Sequence, residues 1–455
     1  MKKTRLKEIA QACSGTLIGE DCDIFDISTD TRTIKEGSLF VAVKGENFDG
    51  HDFCPSAFEN GAAALLVERK VDCPLPQIIV EDTRKAQLLF ARHYRSKYDI
   101  PVVGVTGSVG KTTTKEMIYA VLSSEFKTLK TEGNFNNDIG VPKMIFRLDE
   151  SYGAAVFEMG MSDLNEITHL SQAAMPTVSV ISNIGVSHLE NLKTRENILK
   201  AKLEILDGMA KDAPLVINID NDMLSTVSLD RPVISFALDN KQADCTAENV
   251  VQRDEKTHFD IIYKGNTYKA FVPTIGIHNV YNALAAFCVG VQVGIDPEKC
   301  ACALAGYVTT GMRQRVRKEK SITFIEDCYN ASPDSQRAGI NALCDIEAKR
   351  HIAVLGDMLE LGSVSKQEHY SVGEYAAEKQ LDMVFAYGEE AENISLGAKE
   401  NGVKDVLHFL DKKELSQKLL EVLQPGDAVL FKASRGMKLE EVIKNIYKGM
   451  GIENE

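Results

Sequence analysis

No uninterrupted apolar run in this chain approaches the roughly 20 residues that a bilayer-spanning helix needs, so membrane insertion is not expected. The start, Met1-Lys2-Lys3-Thr4-Arg5, is basic, but no apolar segment follows it, and a secretory leader is not expected either. The 10 cysteines include no CxxC pair and no His-rich companions. Without an export signal they read as reduced thiols, neither staples nor zinc ligands, which puts the protein in the cytoplasm. Positive charge is also in deficit: 52 Lys and Arg against 66 Asp and Glu leave a net charge of −14, which argues against a nucleic-acid binder. An anionic ligand must then be gripped locally, so lysines and arginines inside motifs tell more than the total. Repeats and low-complexity tracts are missing as well.

What is present is an α/β pattern too long, at 455 residues, for one core. Apolar residues make up 44% and charged residues 26%, ordinary for a globular protein. Three blocks follow one another. Residues 1–99 form a small α/β domain, with short strands expected at 39–43, 63–67 and 77–80, a helix at 84–98, and a linker at Asp99-Ile100-Pro101. Residues 100–312 alternate strands (102–105, 154–159, 178–182, 215–218) with helices (111–124, 164–173, 196–209), which predicts a mostly parallel sheet wrapped by helices on both faces. A hairpin-like stretch at 250–271 adds antiparallel strands. Residues 313–455 carry a second alternating series, a Rossmann-like α/β domain without a GxGxxG fingerprint.

The most informative stretch is Val102-Val103-Gly104-Val105-Thr106-Gly107-Ser108-Val109-Gly110-Lys111-Thr112-Thr113. A β-branched strand runs into a glycine turn, and Lys-Thr-Thr opens a helix. Backbone N–H groups, a positive helix end and Lys111 are thereby aimed at one place, as a nucleoside triphosphate requires, with the Thr112 hydroxyl available to Mg²⁺. A strict Walker loop has glycine where Val105 stands. The competing reading is a ligand-free turn, disfavoured by the strand and helix flanks.

Glu158 ends the strand-like run Ala154-Ala155-Val156-Phe157-Glu158, at the side of a parallel sheet where ligands gather. An isolated strand-end glutamate is usually a cap or an ion-pair partner; beside a phosphate loop it becomes a Mg²⁺ ligand. His188 follows another strand and taken alone reads as structural. Lys202 lies in a helix and by sequence logic has no role. The Gly133-Asn134-Phe135-Asn136-Asn137 loop is turn-forming, although its amides suit a polar ligand without adding charge.

Together these segments resemble the Mur ligase family of ATP-dependent amide-forming enzymes. The resemblance rests on Thr106 to Thr113, Gly133 to Asn137, Phe157-Glu158-Met159-Gly160, Asn183 to His188, Gly276-Ile277-His278-Asn279 with Asn282, and Gly311-Met312-Arg313, in family order. The displaced Walker glycine is the family's own pattern. Asp327-Cys328-Tyr329-Asn330-Ala331-Ser332-Pro333-Asp334-Ser335, Leu355 to Gly362, Ser28 to Arg32 and Val43 to Phe53 look like the branch that adds D-alanyl-D-alanine to a UDP-N-acetylmuramoyl-tripeptide. The Asp-Asn-Pro-Arg motif of many diaminopimelate-adding relatives is missing.

The resemblance implies roles. Thr106, Gly107, Ser108, Val109, Gly110, Lys111, Thr112 and Thr113 hold ATP, with Asn279, Asp327, Tyr329 and Asn330 at the adenosine and Arg313 at the γ-phosphate. Thr112 and Glu158 bind one Mg²⁺; His188 and Lys202, the latter carrying a CO₂-derived carbamate, bind a second. Lys111, Glu158, His188, Lys202 and Arg313 are the catalytic set. Ser28, Thr31, Arg32, Lys44, Gly45, Asp49 and His51 bind the uridine substrate with Asn134, Asn136 and Asn137, and Ser434 and Arg435 contact the dipeptide. The expected product is the pentapeptide, made through an acyl phosphate by a monomer that binds no nucleic acid. The rivals are a relative adding a diamino acid or glutamate, and, from another class, a P-loop nucleotide switch.

Overall fold

The computed structural model describes residues 1–45 and 47–452. Glu46, part of the Val43 to Phe53 motif, lies outside the described residues.

A nine-stranded sheet forms the centre, in the order 266–272, 256–263, 245–253, 233–237, 215–218, 178–181, 102–106, 154–158, 128–130. From Val102–Thr106 the chain first builds outward on one side, through Thr128–Lys130 and Ala154–Glu158, then crosses to Val178–Ile181 on the other. The strand order therefore reverses at Val102–Thr106, and a crevice opens at its carboxyl end. The glycine turn begins there.

Both faces of the sheet are buried, which explains why its strands read as continuous apolar runs. Val102, Ala155, Phe157, Ile181 and Ile217 join one core; Val103, Val105, Ala154, Val156, Val180 and Val216 join the other. Val105 is thus still strand and fully buried, so a Walker glycine there would leave a hole. The helix Ile277–Gln292 fills the second core and is buried from Ala283 to Gly290. The expected hairpin is longer than its sequence signal: three antiparallel strands, Cys245–Arg253, Lys256–Tyr263 and Asn266–Val272, continue the same sheet.

A five-stranded sheet, drawn from strands between Thr16 and Ile79, forms the N-terminal unit. Its core is continuous with the first core of the central sheet. The helix Thr83–Arg95 makes this joint. Tyr94 Oη donates to the Leu148 carbonyl at 2.7 Å, and the buried Arg95 guanidinium donates to Ala174 O at 3.1 Å, Ile100 O at 3.2 Å and the Tyr98 carbonyl. The segment read as a linker is therefore clamped to both sides of the joint.

The C-terminal sheet has six strands, in the order 315–319, 322–327, 427–432, 350–356, 383–387, 405–409, parallel except for the charged edge strand Arg315–Glu319. The carboxyl ends of Ile322–Asp327 and Asp427–Lys432 face the same crevice as the glycine turn.

Replacing Arg95 by methionine leaves several carbonyls without donors at the joint, a cost of about 3 kcal/mol. Urea denaturation should show the first unfolding transition move to lower denaturant, with the extrapolated stability reduced by that amount.

Candidate functional site

The turn owes its shape to two glycines. Gly107 has φ 151° and a Cβ there would stand 2.0 Å from Ser182 Oγ; Gly110 has φ 83°, and a Cβ would meet Asn282 Oδ1 at 2.8 Å. The helix Lys111–Ser123 starts directly after Gly110, which points its first N–H groups into the crevice. Asn183 braces the turn from the next strand: its carbonyl accepts from Ser108 N–H at 3.1 Å and its side-chain oxygen from Val109 N–H at 2.8 Å. Ser182 Oγ donates to Val109 O at 2.6 Å, and Gly185 N–H donates to Ser108 Oγ at 2.9 Å.

Lys111 Nζ bends back to donate to Gly107 O at 2.7 Å. Burial pulls this ammonium below the usual lysine range, while the charge of Glu158 pulls the other way. Thr112 Oγ1 donates to Glu158 Oε2 at 2.9 Å, and Asn136 Nδ2 donates to Glu158 Oε1 at 3.0 Å. Lys115, fully buried one turn along the helix, places Nζ 3.6 Å from Glu158 Oε2 and donates to Thr131 O at 2.8 Å. Burial alone drives the Glu158 carboxyl up; Lys115, then Lys111 and Arg313, outweigh it and leave it below the usual carboxylate value. The anion is therefore retained inside the protein.

A cavity of about 900 Å³ gathers most of the expected site. Ser108, Val109, Gly110, Lys111, Thr112, Thr113, Asn134, Asn136, Asn137, Glu158 and His188 line it from the central domain; Arg313, Asp327, Tyr329, Asn330, Ser434 and Arg435 line it from the other side. Its cations divide sharply. Arg195 is paired with Asp222 at 2.6 Å, Lys432 with Asp327 at 2.6 Å, and Arg435 with Glu440 at 2.9 Å. Arg313 instead lies over the Tyr329 ring, 3.8 Å from its centroid. Among the described residues, Lys111 and Arg313 are the lining cations with no carboxylate ion pair, and so are free to meet an anionic ligand.

Other expected residues lie elsewhere. Thr106 is buried below the turn, where its hydroxyl donates to Met159 O at 2.9 Å. Gly107 shapes the turn from behind. Asn279 stands behind the wall, donating to Ile275 O at 2.7 Å and Gln314 Oε1 at 2.8 Å, while Gln314 and His278 take the lining positions. Lys202 is buried behind the wall too, and among the described residues it has no ion-pair partner. Burial, then the charge of Lys111, holds its amine well below the usual lysine value.

The seven N-terminal residues are a separate group outside this cavity. Ser28 and Asp30 shape the turn at Thr31, and Arg32 forks onto Asp30 at 2.7 Å with its side chain in solvent. Asp49 bridges His51 Nδ1 at 2.6 Å and Arg69 at 2.9 Å, while His51 Nε2 accepts from Glu68 N–H at 2.9 Å. Both ring nitrogens of the buried His51 are thus spent on bracing. Lys44 and Gly45 border this cluster; Arg84, which donates to Lys44 O at 3.4 Å, also donates to Asp138 Oδ2 at 2.8 Å and so ties the N-terminal unit to the asparagine loop.

Family models match residues 105–290 (Mur ligase middle domain), 312–435 (Mur ligase, glutamate ligase domain) and 24–99 (Mur ligase family, catalytic domain). The chain is 42% identical over 456 residues to the UDP-N-acetylmuramoyl-tripeptide--D-alanyl-D-alanine ligase of Bacillus subtilis, covering 98% of this chain and 99% of that protein. The chain belongs to the Mur ligase family. The Escherichia coli ligase of the same name is 36% identical, with 98% of each chain covered. Among solved structures, MurF from Acinetobacter baumannii superposes with a TM-score of 0.93 at 30% identity, covering 98% of this chain and 99% of that one. MurF ligase from Thermotoga maritima in complex with ADP gives 0.85 at 32%, covering 94% and 98%.

Several residues that complete this Mur ligase site were given no role by the sequence. Lys115 looks like any helix lysine, and Asn183 opens a matching motif without its bracing of the turn being visible there. Glu360, in the Leu355 to Gly362 motif, reaches His188 Nδ1 at 2.7 Å from the C-terminal domain. No group of three or more His, Cys, Asp or Glu side chains forms a metal cage among the described residues. One hydroxyl and one retained carboxylate nevertheless suit Mg²⁺, which keeps several waters and takes its remaining ligands from phosphate. The unpaired, low-pKa Lys202 amine likewise suits a carbamate, because the neutral amine is the form that adds to CO₂.

Replacing Lys115 by methionine strands the buried Glu158 charge and should cost about 3 kcal/mol at neutral pH. In the wild type the folded Glu158 carboxyl lies below its unfolded value, so its contribution is present above the unfolded pKa and fades as pH falls through the folded one. Without Lys115 the folded value rises, and the acid-side loss shrinks. Urea unfolding of both proteins in neutral buffer and in buffer below the ordinary glutamate pKa should therefore show the gap between them narrow in acid.

Proposed function

We propose that this chain is an ATP-dependent ligase joining D-alanyl-D-alanine to UDP-N-acetylmuramoyl-tripeptide, which yields the pentapeptide precursor of peptidoglycan. The strongest support is the full-length match, 42% identical over 98% of the chain, to a relative that bears this activity in its name. The site chemistry agrees with it. Two uncommitted cations, Lys111 and Arg313, stand over the braced turn and the retained Glu158 anion, where a triphosphate and an acceptor carboxylate must meet.

A carboxylate and an amine do not condense in water, so the carboxylate is first activated. The γ-phosphoryl group moves to the terminal carboxylate of the tripeptide: the bond to the bridging oxygen of ADP breaks, and a carboxyl oxygen–phosphorus bond forms. Lys111 and the unpaired N–H groups at the start of the helix Lys111–Ser123 hold the β- and γ-phosphates, and Arg313 spreads the charge of the transferring group, the main catalytic task in such a transfer. Thr112 and Glu158 would hold one Mg²⁺, and His188 with Lys202, once carbamylated, a second; bound there, the ions would supply further charge neutralisation. The dipeptide amine then attacks the acyl carbon, the carbon–oxygen bond to phosphate breaks, the nitrogen gives up a proton to water or the departing phosphate, and the amide remains.

The 1–99 unit takes the uridine end of the substrate, and Asn134, Asn136 and Asn137 face its peptide. The 313–455 unit brings Asp327, Tyr329 and Asn330 to the adenosine and Ser434 and Arg435 to the dipeptide. Every residue given a role lies in one chain, so the reading calls on no second copy. No helix among the described residues is long and apolar enough to cross a membrane.

Incubation with ATP, Mg²⁺, UDP-muramoyl-tripeptide and D-alanyl-D-alanine should give the pentapeptide by mass spectrometry. Product only with a diamino acid or glutamate, or none with any acceptor, would refute the assignment. Lys111→Ala should lower kcat by about 10³-fold with the fold intact by circular dichroism. Glu158→Gln should raise the Mg²⁺ concentration needed for half-maximal rate, and an unchanged titration would leave Glu158 with a purely structural role.

A further inference from the structure

At the seam between the central and C-terminal domains, His188 Nδ1 and Glu360 Oε2 lie 2.7 Å apart. Neither is glycine, yet both hold left-handed backbones, His188 at φ 60° and Glu360 at φ 67°. Such conformations cost about 1 kcal/mol or more each and persist only where the surroundings enforce them. The seam does so. Glu190 N–H donates to the Glu360 carbonyl at 3.2 Å, and a Cβ on Gly362 would stand 3.1 Å from Glu190 Cα.

The contact itself does not repay that strain. The Glu360 side chain is 61% exposed, and a polar contact so open to water contributes between nothing and about 1 kcal/mol. What the arrangement achieves is orientation. A carboxylate on one ring nitrogen makes that nitrogen the N–H and leaves the other as the lone-pair acceptor, the device by which metal-binding histidines are aimed. Here Nε2 makes no hydrogen bond among the described residues, and His188 lines the cavity.

We propose that Glu360 is a positioning residue, delivered by the C-terminal domain to Nδ1 of His188 so that Nε2 is presented as a ligand only when the two domains are together. The proposal rests on the reading that His188 holds Mg²⁺, and it adds a coupling to it. Docking of the C-terminal domain and readiness of the metal site become one event. Activation of the carboxylate is thereby tied to the closed arrangement that also brings Arg313 and Tyr329 to the nucleotide.

The test uses full-length protein with ¹⁵N-labelled histidines, His188 being assigned through His188→Ala. In metal-free wild type the His188 ring should show the Nδ1–H tautomer; Glu360→Ala should turn it into a mixture, and Glu360→Gln, whose side-chain carbonyl still accepts, should restore it. Binding of a non-hydrolysable ATP analogue should then need about 10-fold more Mg²⁺ for half-saturation in Glu360→Ala, with little change in Glu360→Gln. Thermal unfolding shows whether each variant is folded, and Glu360→Leu, which keeps the bulk but cannot accept a hydrogen bond, carries the comparison if the alanine variant is not. An identical His188 spectrum in wild type and Glu360→Ala overturns the proposal. If Glu360→Ala shifts the tautomer but His188→Ala leaves the Mg²⁺ requirement unchanged, the positioning stands and the metal reading of His188 falls.

Discussion

One buried anion organises the centre of this protein. Glu158 stays ionised in a place where burial alone would neutralise it, because Lys115 and Lys111 approach from the helix that opens at the glycine turn. The helix can begin there only because Gly107 and Gly110 let the backbone turn against Ser182 and Asn282. Sheet, turn, helix and carboxylate are therefore one unit, and the charge pattern of the site follows from it. Most lining cations are spent on internal pairs, leaving Lys111 and Arg313 to face the guest. A chain with net charge −14 can bind a polyanion because its attraction is local.

The three domains are joined in two different ways. The N-terminal unit shares a core with the central sheet and is stapled by Arg95 and Tyr94, so it offers a fixed platform. The C-terminal unit meets the crevice through polar contacts, His188 with Glu360 and the Glu190–Glu360 backbone bond among them, together with a small apolar contact in which Ile275 and Val186 pack against its core. A seam with so little shared core opens at smaller cost than a joint with a continuous one. In an enzyme that must admit a nucleotide, a large sugar peptide and a dipeptide, the seam rather than the stapled joint is where motion belongs.

The phosphate turn was legible in the sequence because its chemistry is local: glycines, a lysine and a threonine at fixed spacing between a strand and a helix. The strands of the central sheet were legible for a related reason, since two buried faces demand apolar runs. The helix Ile277–Gln292 left no such trace; it is apolar on nearly every side, so its period is erased. Thr128–Lys130 is too short to show, and Arg315–Glu319 is a charged edge strand. Lys115, Asn183 and Glu360 owe their importance to partners far along the chain, which spacing cannot reveal. Thr106 and Asn279 sit within the expected motifs but support the wall from behind, a distinction that only the packed structure draws.

The central claim is that the braced turn passes a terminal phosphoryl group to an organic acid. Rapid quenching of the enzyme with γ-labelled ATP, Mg²⁺ and UDP-muramoyl-tripeptide, in the absence of dipeptide, tests it most directly. The account predicts label on the tripeptide as an acyl phosphate that borohydride reduces to the alcohol. Label found only in ATP and free phosphate, with the tripeptide never phosphorylated, would contradict it.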